Sequence, residues 1–197
     1  RILRLLPCLC DIDGTEFPLQ VDDIREEVVG PIRQVYIVTA RIQSRPFVTL
    51  QLRLTHWVSA GLLHVETRIR NTRRAEHAGG LWDLGDPGSF RFGSLELAIG
   101  SDDIPASAVT HFKVERDHSI QSTSSEIFLR QCGSGGEKWN SPNHITASGQ
   151  VEFKVRGYEL TADEMKLTGD RAAPTFLVEG DSAFLAVSVP EFWQQFP

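Results

Sequence analysis

Strict alternation of apolar and polar residues over residues 47–57 limits the fold of this chain more than any other feature of its sequence. Val48, Leu50, Leu52 and Leu54 alternate there with Thr49, Gln51, Arg53 and Thr55. Successive side chains of a β-strand point to opposite faces, so this period of two predicts a strand with one buried and one wet face. We therefore expect a sheet that packs on one side.

The same alternation recurs at short intervals along the chain. It is found in residues 63–70, 95–97, 112–115 and 151–156. Residues 32–42 carry apolar side chains on both faces of the predicted strand, as expected of a central strand. These segments predict several consecutive strands.

Turn signals separate the predicted strands. Asp13-Gly14 and Ala60-Gly61 predict tight turns, because glycine adopts positive φ without a Cβ clash. Residues 161–165 have the composition of a helix start, and we expect at most one helical turn there. Many strands, frequent turns and little helix predict an all-β fold, an antiparallel β-sandwich.

Length and composition predict a single folded domain over residues 1–197. The hydrophobic content of 41% suffices for a core, and the net charge of -6 disfavours a nucleic-acid partner. No run approaches the roughly 18 apolar residues of a membrane span, so no membrane partner is expected either. Cys8, Cys10 and Cys132 are expected to be free thiols, because three cysteines cannot complete a disulfide framework.

Residues 75–90, AEHAGGLWDLGDPGSF, are too many for an ordinary hairpin loop. One hypothesis is a structured Ω-type loop whose Trp82 plugs the end of the sandwich. The other is a ligand groove, since an indole face stacks on a sugar ring and carboxylates accept bonds from its hydroxyl groups. The groove would be lined by His77, Trp82, Asp83 and Asp86. The two hypotheses are compatible.

Three arginines stand immediately before this loop in a chain that is acidic as a whole. Arg70, Arg73 and Arg74 fall within five residues. They fit a solvated strand end whose guanidinium groups pair with nearby carboxylates. They fit equally a site that binds the carboxylate of a uronic acid, since the planar guanidinium binds carboxylates in a bidentate way.

A second candidate loop spans residues 133–144. It begins with Gly-Ser-Gly-Gly and carries Trp139, Asn140 and His144 as candidate substrate-binding residues. The sequence fits a mobile surface loop and also an aromatic flap, hinged at glycine, over a saccharide.

Other chemistries find little support in the sequence. Residues 11–16 lack the spacing and terminal Glu of a calcium loop and predict a hairpin turn. The histidines show no zinc spacing, and there is no Gly-x-Ser-x-Gly elbow or phosphate-binding loop. Neither metal-dependent hydrolysis nor serine chemistry is predicted, and neither a metal site nor a cofactor is expected in this chain.

Several of these segments resemble one family. Residues 70–75 and 79–89, RNTRRA and GGLWDLGDPGS, look like the hallmark of the exo-rhamnogalacturonan lyase-like family, polysaccharide lyase family 26 and its bacterial relatives. Residues 27–33, EVVGPIR, are similar to a pattern of lyase sandwich domains. Residues 169–174 and 192–197 are similar to the motifs that close the domain. The resemblance covers nearly all of the chain and maps to the central sandwich of the family, a lyase-type supersandwich.

The resemblance implies a longer protein, with an N-terminal barrel-like domain and a C-terminal α/α toroid next to this sandwich. The implied reaction is β-elimination on rhamnogalacturonan or a related acidic polysaccharide, and the implied compartment is extracellular or periplasmic. Arg73 or Arg74 would neutralise the substrate carboxylate and His77 would transfer the proton. The isolated chain would be inactive, and calcium stays open for the longer protein.

Two alternatives remain open. The chain would be a non-catalytic carbohydrate-binding module if Trp82, Trp139 and Trp193 are stacking platforms. It would be a structural interdomain module if the aromatic residues near the C-terminus, Phe192, Trp193 and Phe196, are buried.

Overall fold

The computed structural model describes residues 3–74, 76, 88–105, 107–140, 155–181 and 183–195. The described part is nearly all β and its sheets are antiparallel, which confirms the predicted fold class. The strands are β1 Leu3–Cys10, β2 Leu19–Val29, β3 Arg33–Ile42, β4 Arg45–Trp57, β5 Leu62–Asn71, β6 Ser94–Ser101, β7 Val109–Lys113, β8 Gln121–Thr123, β9 Ile127–Gln131, β10 Tyr158–Ala162, β11 Met165–Gly169, β12 Thr175–Glu179 and β13 Phe184–Ser188. A short 3-10 helix follows at Phe192–Gln195.

The chain forms two compact units. The N-terminal unit is Leu6–Ala98, and the C-terminal unit comprises Ile99–Pro197 with Arg1–Leu5. The single-domain organisation expected from the sequence stays a prediction. In the described residues, no helix has the length and the apolar character needed to cross a membrane.

A four-stranded sheet of order β2-β3-β4-β5 dominates the N-terminal unit. The alternation in β4 has the predicted effect: Val48, Leu50 and Leu52 are buried on one face. The hairpin between β4 and β5 turns at Gly61, whose φ of 60° falls in the region that glycine tolerates best. Strand β2 carries two register shifts, at Asp22 and at Glu27, and is exposed along most of its length.

One end of the buried face is closed by a hydrophobic cluster. Leu9, Ile42 and Val48 are almost completely buried there. The side chains that pack around them are Phe17, Leu19, Phe47, Ile69, Phe90 and Leu95. Burying a side chain of this size contributes about 1.5–3 kcal/mol, so the cluster stabilises the sheet from this side. The opposite face is exposed along β2 and β5, whereas Val35 and Ile37 of the central strand β3 are buried.

The C-terminal unit contains a sheet of order β13-β12-β7-β8 and a sheet of order β11-β10-β9. Their apolar side chains meet in one core, centred on Phe112, Tyr158 and Leu160. No helical turn forms at residues 161–165, which agrees with the expectation of at most one. Strands β10 and β11 form a hairpin in which Ala162 pairs with Met165, and Asp163 adopts a φ of 55° between them. Pairing across the hairpin thus outweighs the local helix-start composition.

Candidate functional site

The exposed face of the four-stranded sheet brings arginines together from several strands. Along one row, Arg25 of β2 pairs in register with Ile37 of β3, Ile37 with Arg53 of β4, and Arg53 with Glu66 of β5. We call this surface the arginine face, and it comprises Arg25, Arg41, Gln51, Arg53, Glu66, Arg68 and Arg70. Neighbouring strands lie about 4.8 Å apart, so the long guanidinium side chains of one row reach one another.

Two further rows extend the arginine face toward the end of β5. Gln51 pairs with Arg68 in the second row, and Thr49 lies between Arg41 and Arg70 in the third. Residues two positions apart on a strand are separated by about 6.8 Å. Arg68 and Arg70 therefore present two guanidinium groups along one edge of the sheet.

The arginines of this face differ in how their charge is balanced. Arg53 binds the carboxylates of both Glu27 and Glu66, the latter with an Nε to Oε2 distance of 3.4 Å. The Nε of Arg41 lies 3.0 Å from Oδ1 of Asp22. Among the described residues, no carboxylate forms an ion pair with Arg25, Arg68 or Arg70. These three carry positive charge that is open to a ligand.

A shallow concavity of about 300 Å³ lies on the arginine face. The buried side chain of Ile37 contributes to its lining, together with Gln51, which supplies an amide group. The other lining residues are Arg25, Glu27, Arg53, Glu66, Thr67 and Arg68. Guanidinium and amide donors in a concave setting suit a ligand that carries carboxylates and hydroxyl groups.

Of the predicted arginines, Arg70 belongs to this face, and the other two lie beyond the end of β5. The guanidinium carbon of Arg73 lies 3.6 Å from the centroid of the Phe47 ring, and Arg74 is exposed. The segment is anchored to β4, since the backbone N–H and the hydroxyl of Thr72 both donate to the carbonyl oxygen of Phe47. A cation–π contact of this kind holds Arg73 at a fixed place.

The side chain of Asn71 joins the two ends of the long loop. Its Nδ2 donates to the carbonyl oxygen of Gly88 over 2.7 Å, and its Oδ1 accepts the backbone N–H of Arg73 over 3.0 Å. The predicted loop residues His77, Trp82, Asp83 and Asp86 lie outside the described residues, and so does His144 of the second loop. Their assigned roles stay predictions.

The second candidate loop belongs to the C-terminal unit. Trp139 is half-buried and Asn140 is exposed. The glycines expected to act as a hinge are tied down: Gly133 and Gly135 donate backbone hydrogen bonds to the carbonyl oxygens of Gly157 and Arg156. Gly135 has a φ of 68°, and a Cβ there would lie 2.0 Å from the carbonyl oxygen of Asp170. The start of this loop is therefore held in place by backbone hydrogen bonds to residues 156–157.

The aromatic residues near the C-terminus are engaged with the same unit. Phe192 packs against the core, and the guanidinium group of Arg171 lies 4.3 Å from the ring of Trp193. Phe196 lies outside the described residues. One face of the Trp193 ring is thus occupied by a side chain of its own unit, which leaves it a weaker stacking platform for a sugar.

Sequence reasoning missed Arg25, Gln51, Arg53 and Arg68 as site residues. All four occupy strand positions that face away from the core, and alternation alone identifies such positions. What the sequence did not show is the register that places them side by side. In the part of the chain that the structure describes, His, Cys, Asp and Glu side chains form no cluster of three or more that could hold a metal ion.

Comparisons with known proteins give no assignment: no family model, no curated protein and no solved structure matches the chain.

Proposed function

We propose that this chain is the β-sandwich part of a polysaccharide lyase-like protein and that its arginine face binds the carboxylates of a uronic-acid polysaccharide such as rhamnogalacturonan. The observation that carries this proposal is the group formed by Arg25, Arg68 and Arg70 around the ion-paired Arg53. The resemblance to exo-rhamnogalacturonan lyase-like sequences supports the choice of polymer, because uronic acids carry the carboxylate that guanidinium groups bind.

Charge selectivity follows from this arrangement. The chain carries a net charge of -6, so an acidic polymer is repelled by most of its surface and attracted only where positive charge is unbalanced. Exposed ion pairs contribute about 0.2–1 kcal/mol each, so a single uronate would bind weakly. Several arginines on one face allow a polymer to bind through several carboxylates at once, which raises the apparent affinity.

The described residues favour binding by this face rather than proton transfer. Its two glutamates, Glu27 and Glu66, both form ion pairs with Arg53, so their carboxylates are already engaged with a cation of the same face. In this proposal the chain binds and orients substrate, and the proton transfers of β-elimination use groups beyond the arginine face.

Titration calorimetry tests the binding proposal, with polygalacturonate, rhamnogalacturonan oligosaccharides and a neutral galactan as ligands. Arg68→Ala should weaken binding of the acidic ligands about tenfold, or about 1.4 kcal/mol. Arg130→Ala is the matched control, because Arg130 is an exposed strand arginine of the C-terminal unit. Equal affinity of the Arg68→Ala variant and the unaltered chain, or equal binding of the neutral galactan, would refute the proposal.

The lyase part is tested by the ultraviolet absorbance of the unsaturated uronate, with a multidomain protein that contains this chain and rhamnogalacturonan as substrate. A rising absorbance that Arg68→Ala slows at low substrate concentration supports both parts of the proposal. Binding without any product leaves the chain as a carbohydrate-binding module and rejects the lyase assignment.

A further inference from the structure

A serine, a histidine and a glutamate form a continuous hydrogen-bonded chain in the C-terminal unit. Nδ1 of His111 on β7 lies 2.8 Å from Oγ of Ser122 on β8. Nε2 of His111 lies 3.2 Å from Oε2 of Glu179 on β12. Strands β8, β7 and β12 are neighbours in one sheet, so the order hydroxyl, imidazole, carboxylate runs across three adjacent strands.

The register of the sheet brings the serine, the histidine and the glutamate together. His111 is paired directly with Ser122 on one side and with Leu177 on the other, and Glu179 lies two residues beyond Leu177. All four side chains therefore point to the same face, opposite the core residue Phe112. The sheet holds the histidine between its two partners.

The two contacts of the neutral imidazole select one of its two tautomers. If Glu179 is ionised, it accepts a hydrogen bond, so the ring proton resides on Nε2. Nδ1 then carries the free lone pair and accepts the hydroxyl proton of Ser122. This is the arrangement of nucleophile, general base and orienting carboxylate that activates serine in acyl-transfer enzymes, with the two ring nitrogens exchanged relative to the commonest form.

The hydroxyl of Ser122 is accessible to solvent. Ser122 is exposed, and about a third of the His111 side chain is open to solvent. Lys113 lies on the same face, two residues along β7, and its Nζ donates to the carbonyl oxygen of Arg116 over 3.1 Å. One such bond leaves other ammonium protons available, so Lys113 supplies the positive charge toward which a developing oxyanion would turn.

We propose that Ser122 is the nucleophile of a second site, separate from the arginine face, that hydrolyses carboxylic esters with small acyl groups. Oγ of Ser122 bonds to the ester carbonyl carbon while its proton passes to Nδ1 of His111. The bond between that carbon and the alkoxy oxygen breaks, and the leaving alcohol takes this proton. A water molecule then attacks the acyl-serine, gives a proton through Nδ1 to Oγ of Ser122, and releases the carboxylic acid.

The open sheet face sets the class of substrate. Leu177 and the partly exposed Val109 lie beside the histidine on this face. The nearby concavity at Thr110, Ser124 and Phe176 includes neither Ser122 nor His111. A short acyl group on a large alcohol, such as an acetylated hydroxyl of a polymer, fits this face better than a long-chain ester does.

Covalent labelling tests the proposal directly. The chain is incubated with a fluorophosphonate probe, and the modified peptide is identified by mass spectrometry. We expect one adduct, on Ser122, and a labelling rate about 100-fold lower in the His111→Ala variant, which lacks the base. Ser188→Ala is the matched control, because Ser188 is a hydroxyl residue of the same sheet that bonds to Thr175 and is expected to stay unlabelled.

Hydrolysis of p-nitrophenyl acetate gives the second readout. Ser122→Ala should reduce turnover to that of free imidazole in solution, whereas Ser188→Ala should leave it unchanged. Glu179 is a positioning residue, so Glu179→Gln should shift the pH profile of turnover as well as lower its rate. Absence of an adduct on Ser122 in folded protein, or equal labelling of Ser122 and Ser188, would overturn the proposal whatever the arginine face binds.

Discussion

Nδ2 of Asn71 donates a hydrogen bond to the carbonyl oxygen of Gly88, 17 residues further along the chain. The same side chain accepts the backbone N–H of Arg73, so one amide connects the last residue of β5, the following turn and the far end of the long loop. Asn71 thus contributes, together with Thr72, to the position of Arg73 over Phe47, and it links both ends of the loop.

Asn71→Ala should loosen this region and leave the sheet intact. Loss of one partly buried and one exposed hydrogen bond is expected to cost about 1–2 kcal/mol of unfolding free energy. Trypsin cleavage at Arg73 and Arg74 should become faster, because the segment is no longer held. Asn140→Ala, a change at an exposed asparagine of the C-terminal unit, is the control. Unchanged cleavage in the Asn71 variant would show that the loop is held by other contacts.

Glu66→Gln should strengthen binding of acidic polysaccharide to the arginine face. Arg53 would keep Glu27 and lose its second carboxylate partner, so the surface gains positive charge beside Arg68. We expect a two- to fivefold higher affinity for polygalacturonate at low salt, with the gain reduced as ionic strength rises. Calorimetry at two salt concentrations measures this, with the exposed Glu164→Gln variant as control. A loss of affinity would mean that Glu66 itself binds the sugar.

Part of this structure could be predicted because its causes are local. Alternation identified β4 and β5, apolar residues on both faces identified β3, and the glycine of the β4–β5 turn followed from composition. Arg70 was proposed as a candidate site residue because it belongs to a short run of arginines, and the structure places it on the arginine face. Each of these signals lies within a dozen residues of sequence.

Long-range register accounts for what sequence reasoning missed. Arg53 binds Glu27 across the intervening strand β3, and no sequence pattern marks the register of β2 and β4 that brings the two residues together. His111 and Glu179 are 68 residues apart, and only the pairing of β7 with β12 brings them together. The hairpin at Asp163 likewise depends on the pairing of β10 with β11, which the local composition does not show.

The thiol of Cys8 should react slowly with alkylating reagents at neutral pH. The side chains of Cys8 and Cys10 share one side of β1 with their sulfur atoms 3.6 Å apart. The contact with Cys10, followed by burial and by the charges of Cys10, Glu16 and Glu96, raises the pKa of Cys8 to about 11. The rate of alkylation by iodoacetamide should therefore keep rising up to that pH, because the thiolate is the reactive form.

The Cys10→Ala variant separates the causes of this shift. Removal of the neighbouring sulfur should return the pKa of Cys8 toward its ordinary value of 9.0 and accelerate its alkylation at pH 8. Cys132, in the other unit, provides an internal reference in the same sample. An unchanged rate for Cys8 would assign the slow reaction to burial instead of the contact.

The hydroxyl of Tyr158 should make stability decline at alkaline pH. Burial, then the hydrogen bond of 2.9 Å to Oε1 of Glu115 and its negative charge, raise the pKa of Tyr158 well above its ordinary value of 10.0. The folded state thus holds this proton more tightly than the unfolded chain does. Its contribution is fully present below pH 10 and is lost as the pH rises toward the raised pKa.

Urea unfolding at neutral and at alkaline pH checks this assignment. Tyr158→Phe should cost about 1–2 kcal/mol at neutral pH and should flatten the decline above pH 10, because no buried hydroxyl remains to ionise. Tyr36→Phe changes the other tyrosine of the chain and is the control. A decline of equal steepness in the Tyr158 variant would assign the alkaline loss to other groups.

Gln131 joins two backbone segments of the C-terminal unit, at Gly133 and at residues 170–172, and its removal should be the most destabilising change among these variants. The side chain is buried, and its Nε2 donates to the carbonyl oxygens of Gly133 and Asp170 over 2.7 and 2.8 Å. Its Oε1 accepts the N–H of Ala172 over 3.0 Å. Gln131→Leu keeps much of the volume but leaves these groups without partners, at about 1–3 kcal/mol for each buried group. Calorimetric melting of the Gln131→Leu variant should therefore show a loss of several kcal/mol of unfolding free energy.

Gln121→Leu is the control. It removes a side-chain bond to Ser119 and should cost much less unfolding free energy. Equal losses in the two variants would show that water replaces the amide, and that the segments around Gln131 are held by their own backbone bonds.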